Sequence, residues 1–341
     1  MTDQPRQLFV GTYTRTTKSE GIYRVVGKSA RLAAICDNPS YLERHPGGSV
    51  VYAVNEISDF DSGNTGAVTA YFIQSNGQLT EMNQQPSMGA DPCHITVSAN
   101  SNYIVVSNYS GGTFTTFPLD DDGYLDQFIS LSQHTGQSIH PERQQSAHVH
   151  SSLLSTQEDM VLVADLGADQ LVQYAISAEG QVQAEGRQAH AVQPGAGPRL
   201  MIQIDERIYL VNELANTISV HDSNTMSVLE ERSTLPEDCQ ATSIASHIAA
   251  SRDGKYLYVS NRGFDSIAVF CIKPKLSLIQ VINSGGQHPR HFTLSPDELE
   301  LYVANQHSDE IVCFNRDPVR GTLTEGQDRI QVPSPTCLLF A

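Results

Sequence analysis

The chain repeats one short pattern, an apolar run that ends in a polar residue, usually asparagine. LFVGT (8–12) comes first, and six similar runs follow: VYAVNE (51–56), YIVVSNY (103–109), VLVADL (161–166), IYLVNE (208–213), LYVSNR (257–262) and LYVANQ (301–306). Counted from Gly11 to Asn55 and onward, equivalent residues follow each other at intervals of 44, 53, 57, 47, 49 and 44 residues. A period of about 40–55 residues that contains only strands is typical of a β-propeller.

Each repeat predicts one four-stranded antiparallel blade. In the last repeat, HFTL, a Ser-Pro-Asp turn, LELYVA and EIVCF give three strands, and the residues leading to the next unit give a fourth. Seven repeats predict an all-β, seven-bladed β-propeller that occupies residues 1–341 as a single domain. The apolar run TCLLFA (336–341) is expected to form the innermost strand of the first blade and close the ring, because an open ring would leave unpaired strand edges.

Charge and composition limit the partners. With 21 basic and 38 acidic residues, the net charge of −17 argues against nucleic acid and against anionic membranes. No apolar stretch approaches the roughly 18–20 residues of a membrane span, and MTDQPRQ at the N-terminus lacks the basic and apolar regions of a signal peptide. We therefore expect a cytoplasmic protein that is a monomer or a weak homodimer.

The propeller geometry predicts which residues meet. In an antiparallel blade, the start of the first strand and the turn between the second and third strands lie on the same face of the ring. The turns on the opposite face, such as SANSN and SRDG, have ordinary solvated composition. The first face instead gathers basic and acidic side chains around the central channel: His94, His148, His150, Arg199, Glu213, His247, Arg262, Arg290 and His291. Such a convergence is typical of a functional site.

Several of these segments also carry a family resemblance. The runs are NYSGG (108–112), PERQQ followed by HVH (141–150), DLGADQ (165–170), GAGPR (195–199), NEL (212–214), SNRG (260–263) and ANQHSDEIVCFNRD (304–317). In this order they resemble the seven-bladed propeller 6-phosphogluconolactonase family, whose relatives include a carboxymuconate-cyclising enzyme. The resemblance spans essentially the whole chain. It implies hydrolysis of 6-phosphogluconolactone, a small anionic sugar lactone, to 6-phosphogluconate in the pentose phosphate pathway, without a metal.

The resemblance also implies the site residues. Arg199, Glu213 and Arg262 match family positions, together with the histidine of the HVH run, which is His148 or His150; counting back from DLG favours His150. The remaining basic residues of this face are expected to bind substrate: His94, His247, Arg290 and His291. The chain departs from the family pattern at Leu200, where histidine is frequent, and at His247 and Ala249, and these departures leave the identity of the lactone open.

The chemistry of lactone opening independently requires these residue types. Opening a lactone needs an activated water, stabilisation of the developing oxyanion and, for a phosphorylated substrate, a cationic partner. Arginine suits both anions because its planar guanidinium donates in pairs, so we expect Arg199 and Arg262 to take these two tasks in one order or the other. Glu213 is the expected general base, with the histidine assisting. No metal or other cofactor is predicted, because calcium needs six to eight oxygen ligands and the arginines would repel a cation.

Alternative interpretations remain at this point. Glu213 and Arg262 could be only a structural ion pair between blades. The activity could be that of a lactonase or lactone-forming cyclase with another acid, or the protein could be a non-catalytic binding platform, although it lacks the tryptophans of WD-type scaffolds. The connection 133–145, with His134 and His140, is expected to be a solvated loop, with a lid as the alternative. The asparagines that end the apolar runs are expected to satisfy backbone groups of turns.

Overall fold

The protein forms the predicted seven-bladed propeller. The computed structural model describes residues 7–341, and these form seven four-stranded antiparallel sheets. Blade 1 consists of β28 (Pro335–Phe340), β1 (Leu8–Thr12), β2 (Gly21–Val26) and β3 (Ser29–Ile35). Blade 2 consists of β4 (Leu42–Arg44), β5 (Val50–Asn55), β6 (Ala67–Ile73) and β7 (Leu79–Pro86), and blade 3 of β8 (Pro92–Val97), β9 (Tyr103–Asn108), β10 (Thr113–Pro118) and β11 (Ser130–Gln133).

The four remaining blades repeat this order from the inside outward. Blade 4 consists of β12 (Val149–Leu154), β13 (Met160–Asp165), β14 (Gln170–Ile176) and β15 (Val182–Ala191), and blade 5 of β16 (Pro198–Ile204), β17 (Arg207–Asn212), β18 (Thr217–Asp222) and β19 (Val228–Ser233). Blade 6 consists of β20 (Ile244–Ala250), β21 (Tyr256–Arg262), β22 (Ser266–Cys271) and β23 (Ser277–Asn283), and blade 7 of β24 (Pro289–Leu294), β25 (Glu300–Asn305), β26 (Glu310–Arg316) and β27 (Leu323–Gln331). Two short 3-10 helices, Phe60–Ser62 and Gln306–Ser308, lie between second and third strands.

The C-terminal strand closes the ring, as predicted. β28 pairs antiparallel with β1, from Leu8 opposite Phe340 to Thr12 opposite Pro335. The first strands of neighbouring blades contact one another around the ring, and β28 contacts both β24 and β4. The first strands therefore surround the central channel, and β28 takes the place in blade 1 that β4 or β8 takes in its own blade.

The core lies between the blades. In β21, Leu257 and Val259 pack with blade 5, whereas the residue between them, Tyr258, packs with Leu301 and Val303 of blade 7. Successive side chains of a strand point to opposite faces of its sheet, so one strand contributes to two cores. This double burial explains why the second strands are continuous apolar runs instead of alternating ones, which is the pattern that made the repeat visible.

Asparagines at the ends of several of these runs hold the connections between blades. The side-chain amides of Asn108 and Asn305 donate to the carbonyl oxygens of Ser87 and Ser284, each at 3.0 Å. The prediction that such asparagines satisfy backbone groups is confirmed for these two, whereas the side-chain amide of Asn212 donates to the hydroxyls of Thr217 and Ser219. Within residues 7–341, no helix has the length and apolar character that crossing a membrane would require.

Candidate active site

A pocket at the mouth of the channel collects residues from all seven blades and one connecting loop. Its volume is about 140 Å³. Ten side chains line it: Tyr13, Glu56, Cys93, Tyr109, Arg143, His150, Arg199, Glu213, Arg262 and Arg290. The turns between second and third strands supply Glu56, Tyr109 and Glu213, and the first strands supply most of the others, so the predicted face of the propeller carries the pocket.

Bulges in the first strands turn the site residues toward the channel. The pairing of β16 with β17 runs from Pro198 to Leu200 and leaves out Arg199. The same irregularity leaves out His150 in β12 and Arg290 in β24, as well as Cys93 in β8. A bulge leaves one residue unpaired and re-aims its side chain, and bulges are frequent beside active sites. Four of the pocket residues are therefore placed by one repeated backbone device.

Glu213 is the centre of the pocket's ion-pair network. Its Oε1 accepts a hydrogen bond from Nη2 of Arg143 at 2.7 Å. Its Oε2 lies 2.9 Å from Nη2 of Arg262 and also contacts Nη1 of Arg199. The carboxylate is 1% exposed. Three arginines from different parts of the chain are thus fixed around one buried carboxylate, which requires the propeller to be assembled.

Opposing effects act on the ionisation of this network. Burial by itself would raise the pKa of Glu213, but the positive charges of Arg262, Arg199 and Arg143 hold it well below its ordinary value of 4.5. Burial also disfavours the charged form of Arg262 and lowers its pKa to about 9, although the negative charge of Glu213 opposes this shift. A pKa of about 9 still leaves the guanidinium charged at neutral pH. Both groups of this pair are ionised at the pH of the cell.

The pocket has an excess of positive charge in an acidic protein. Its charged side chains are four arginines and two glutamates, which leave two positive charges unbalanced. The whole chain carries −17. This local reversal of sign favours a small anion with about two negative charges.

Of the two candidate histidines, His150 lines the pocket. Its Nε2 faces Nη1 of Arg199 and lies 4.0 Å from Oε2 of Glu213. Burial and the charge of Arg199 hold the pKa of His150 well below 6.5, so the ring is neutral. His148 instead stacks on Tyr109, with ring centroids 4.4 Å apart, and its Nδ1 is 3.0 Å from the carbonyl oxygen of Tyr109.

The other predicted binding residues line two adjoining cavities, and Arg290 lines both. Arg290 lines the pocket, where its Nη2 lies 3.6 Å from Oε2 of Glu56 and its guanidinium lies 5.0 Å from the centre of the Tyr13 ring. His94, His247 and His291 line an adjoining cavity of about 20 Å³, which also includes Leu200. Burial and the charge of Arg199 lower the pKa of His94 to about 3 and that of His291 to about 3, so both rings are neutral. Two of the departures from the family pattern, Leu200 and His247, thus lie together beside the site.

Sequence reasoning missed Arg143. This arginine comes from the connection 133–145, which was expected to be solvated. That expectation is wrong for His134, which is 4% exposed and bonds through Nδ1 to Oδ2 of Asp165 at 3.0 Å. The connection is also held by Gln144, which is fully buried and donates to the carbonyl oxygen of Leu166 at 2.8 Å. The PERQQ run carried the only signal for Arg143, because it was already part of the family pattern.

Glu56 and Tyr13 complete the opposite side of the pocket. The Tyr13 hydroxyl donates to Oε1 of Glu56 at 2.7 Å. No role was expected for Glu56 from the sequence, because its neighbours Tyr13 and Arg290 lie near opposite ends of the chain. Among residues 7–341, no group of three or more His, Cys, Asp or Glu side chains is arranged to hold a metal ion, and the expectation that no metal is required stays a prediction.

Comparisons with known proteins agree with this architecture. The family model described as "Lactonase, 7-bladed beta-propeller" matches residues 7–340. The chain is 32% identical to a 6-phosphogluconolactonase of Bacillus subtilis (strain 168), over 97% of both proteins, and 32% identical to one of Formosa agariphila, over 93% of this chain and 94% of the relative. The solved structure of a Pseudomonas aeruginosa periplasmic gluconolactonase superposes with a TM-score of 0.90, 31% identity and 99% coverage of each chain. The chain belongs to the seven-bladed β-propeller lactonase family.

Proposed function

We propose that this protein hydrolyses 6-phosphogluconolactone to 6-phosphogluconate in the pentose phosphate pathway. The observation that carries the proposal is the pocket's excess of two positive charges around Glu213. A phosphate monoester carries about −1.5 to −2 at neutral pH, which matches this excess. The curated relatives named as 6-phosphogluconolactonases support the same substrate.

Solvent exposure suggests how the arginines divide the work. The side chains of Arg199 and Arg262 are 10% and 5% exposed, whereas that of Arg143 is 33% exposed. Stabilisation of a developing oxyanion is strongest where water is excluded and the donors are already in place. We therefore replace the expected division, in which Arg199 and Arg262 took one task each. Both are assigned to the lactone carbonyl oxygen, and Arg143, at the outer part of the pocket, is assigned to the phosphate. Glu213 keeps Arg199 and Arg262 oriented, because its Oε2 contacts both.

The direct experiment measures hydrolysis of freshly made 6-phosphogluconolactone, corrected for its spontaneous hydrolysis. Wild-type protein should exceed the buffer rate, and Arg199→Ala, Glu213→Ala and Arg262→Ala should each lose most of that excess. Arg232→Ala is the matched control, because Arg232 lies on the outer strand β19 and is 40% exposed. A wild-type rate equal to that of buffer would exclude this function. Full activity in all three variants would exclude the site.

Gluconolactone without phosphate tests the substrate class. The charge of the pocket predicts a higher kcat/KM for the phosphorylated lactone, and Arg143→Ala should raise KM for that substrate while changing the rate with gluconolactone little. A relative of known structure is named a gluconolactonase, so the comparison also tests the alternative substrate. Preference of the wild-type protein for gluconolactone would move the assignment to the unphosphorylated sugar.

The proposal extends to the setting of the enzyme. We infer that it acts in the cytoplasm as a monomer or weak homodimer. We also infer that it has no nucleic acid or membrane partners, because the net charge of −17 opposes association with polyanions. Cell fractionation and light scattering test these two statements. Recovery of the protein in the periplasm or as a stable larger oligomer would overturn the corresponding one.

A further inference from the structure

The pocket contains two carboxylates with very different surroundings. Both oxygens of Glu213 already receive hydrogen bonds or ion pairs from Arg143, Arg199 and Arg262. A general base must offer a lone pair to the proton it removes and must be basic enough to hold that proton. Glu213 is poorly suited to both requirements, which leaves it an orienting role and leaves the activation of water without a residue.

Other proton acceptors of the pocket are also occupied or inactive. Nε2 of His150 faces a donor nitrogen of Arg199, which occupies its lone pair. Burial strongly raises the pKa of the Cys93 thiol, so this side chain keeps its proton and is not a thiolate nucleophile. Burial also raises the pKa of Tyr13 and of Tyr109, so these phenols stay protonated and act as donors.

Glu56 differs from these residues because one of its carboxylate oxygens is available to accept a proton. Its Oε1 receives the Tyr13 hydroxyl, but its Oε2 accepts no hydrogen bond from any of residues 7–341, and the guanidinium of Arg290 stands off at 3.6 Å. The side chain is 17% exposed, and this oxygen is shielded from bulk solvent. A buried carboxylate oxygen without a donor is costly, so it is expected to take a hydrogen bond from whatever fills the pocket.

The position of Glu56 in the ring suits attack on a bound lactone. It follows β5 in blade 2, three blades from Glu213 in blade 5, and both line the same pocket. Arg199 and Arg262 belong to blades 5 and 6, so the groups assigned to the carbonyl oxygen face Glu56 across the channel. A nucleophile must approach one side of the carbonyl while the oxygen is stabilised on another, and this arrangement separates the two tasks.

We propose that Glu56 is the general base of lactone hydrolysis and that Tyr13 and Arg290 position it; this rests on the proposed lactonase function. Oε2 of Glu56 takes one proton from a water, whose oxygen forms a bond to the carbonyl carbon while the carbonyl π pair moves to the oxygen. When that pair returns, the bond between the carbonyl carbon and the ring oxygen breaks, and the proton on Glu56 passes to the ring oxygen. The new carboxyl group releases its remaining proton to solvent.

The test is a set of substitutions at position 56. Glu56→Gln keeps the shape and removes the basic oxygen, so kcat should fall by about 10²–10⁴-fold with KM changed less than about threefold. Glu56→Asp, which keeps a carboxylate, should retain more activity than Glu56→Gln. Glu81→Gln is the matched control, because Glu81 is an exposed glutamate of β7 in the same blade, and it should behave as wild type.

Chemical rescue separates a base from a structural residue. Glu56→Ala leaves space beside Tyr13 and Arg290, and added formate should restore activity in a saturable manner, with no effect on Glu81→Gln. Melting curves of each variant confirm that the proteins compared are folded. A kcat for Glu56→Gln within threefold of wild type, or no formate rescue of folded Glu56→Ala, would overturn the proposal. A wild-type protein without lactonase activity would instead overturn the proposed function itself.

Discussion

Replacing Glu213 by glutamine tests whether the arginine cluster is held together by one buried charge. Arg199 and Arg262 are 10% and 5% exposed, and Glu213 is their common ion-pair partner. Removing one member of a buried charge pair leaves the others uncompensated and costs about 3–5 kcal/mol. A domain is stable by only about 5–15 kcal/mol, so Glu213→Gln should lose a large fraction of its free energy of unfolding.

The contribution of Glu213 to the free energy of unfolding should depend on pH in a definite direction. The pKa of Glu213 is lower in the folded protein than its ordinary value of 4.5, so its stabilising contribution is fully present above pH 4.5 and is lost as the pH falls through the folded value. Urea unfolding should therefore show the largest difference between variant and wild type at pH 7, and a smaller difference at low pH. Glu325→Gln is the matched control; it breaks an exposed pair with Arg329, which should cost less than about 1 kcal/mol.

Phosphate offers a second readout of the same variant. Without the charge of Glu213, the pocket's excess rises from two to three positive charges, so inorganic phosphate should raise the stability of Glu213→Gln more than that of wild type. A ligand that binds only the folded state adds stability in proportion to the logarithm of its concentration. Unfolding of the variant within 1 kcal/mol of wild type at pH 7, with the same response to phosphate, would refute the reasoning.

Three further predictions concern closure, a second acid that is partly buried, and metals. Deleting 334–341 removes the innermost strand of blade 1 and should lower Tm sharply; an unchanged Tm would contradict ring closure. Leu338→Ala alone should lower the free energy of unfolding by about 2–5 kcal/mol. Leu299 is 50% exposed, so Leu299→Ala should lower it by about 0.5 kcal/mol at most. Burial raises the pKa of Glu43 to about 7, so its ionisation lowers the stability of the folded protein as the pH rises from 4.5 through 7. The free energy of unfolding of Glu43→Gln should therefore exceed that of wild type by up to about 3 kcal/mol at pH 8 but not at pH 4. Equal urea midpoints at pH 8 would argue against this. Chelation with EDTA should leave lactonase activity unchanged, because the positive pocket disfavours cations; loss of activity that a divalent ion restores would show that a metal is needed.

Much of the fold was readable from the sequence because its signals are local. The double burial of strands such as β21 produces continuous apolar runs, and asparagines that bond to the backbone end several of them. The apolar run recurs in every blade, so its period reveals the number of blades, whereas asparagine ends the run only in blades 2, 3, 5, 6 and 7. The unpaired apolar run at the C-terminus similarly identified β28 as the closing strand, which the pairing with β1 confirmed.

The candidate site was only partly predictable. Arg199, Glu213 and Arg262 could be placed on one face because turn position follows from strand order. The choice between His148 and His150 required a bulge in β12, which leaves His150 unpaired and directs it to the pocket. The sequence pattern contains no marker for this bulge, since Val149 and Ser151 continue the strand on both sides.

Strand periodicity and turn chemistry act over a few residues. The seven-bladed ring, its closure by the last strand and the face on which charged residues gather could therefore be inferred from the amino-acid sequence alone. The assembled propeller was needed to show which of these residues share a pocket and that Arg143 reaches Glu213. It also showed that, within residues 7–341, Glu56 is the pocket carboxylate with an oxygen that accepts no hydrogen bond. The physical reason is that ion pairing and burial depend on distances through space. In the folded protein, Tyr13 and Arg290 lie side by side although they come from opposite ends of the chain.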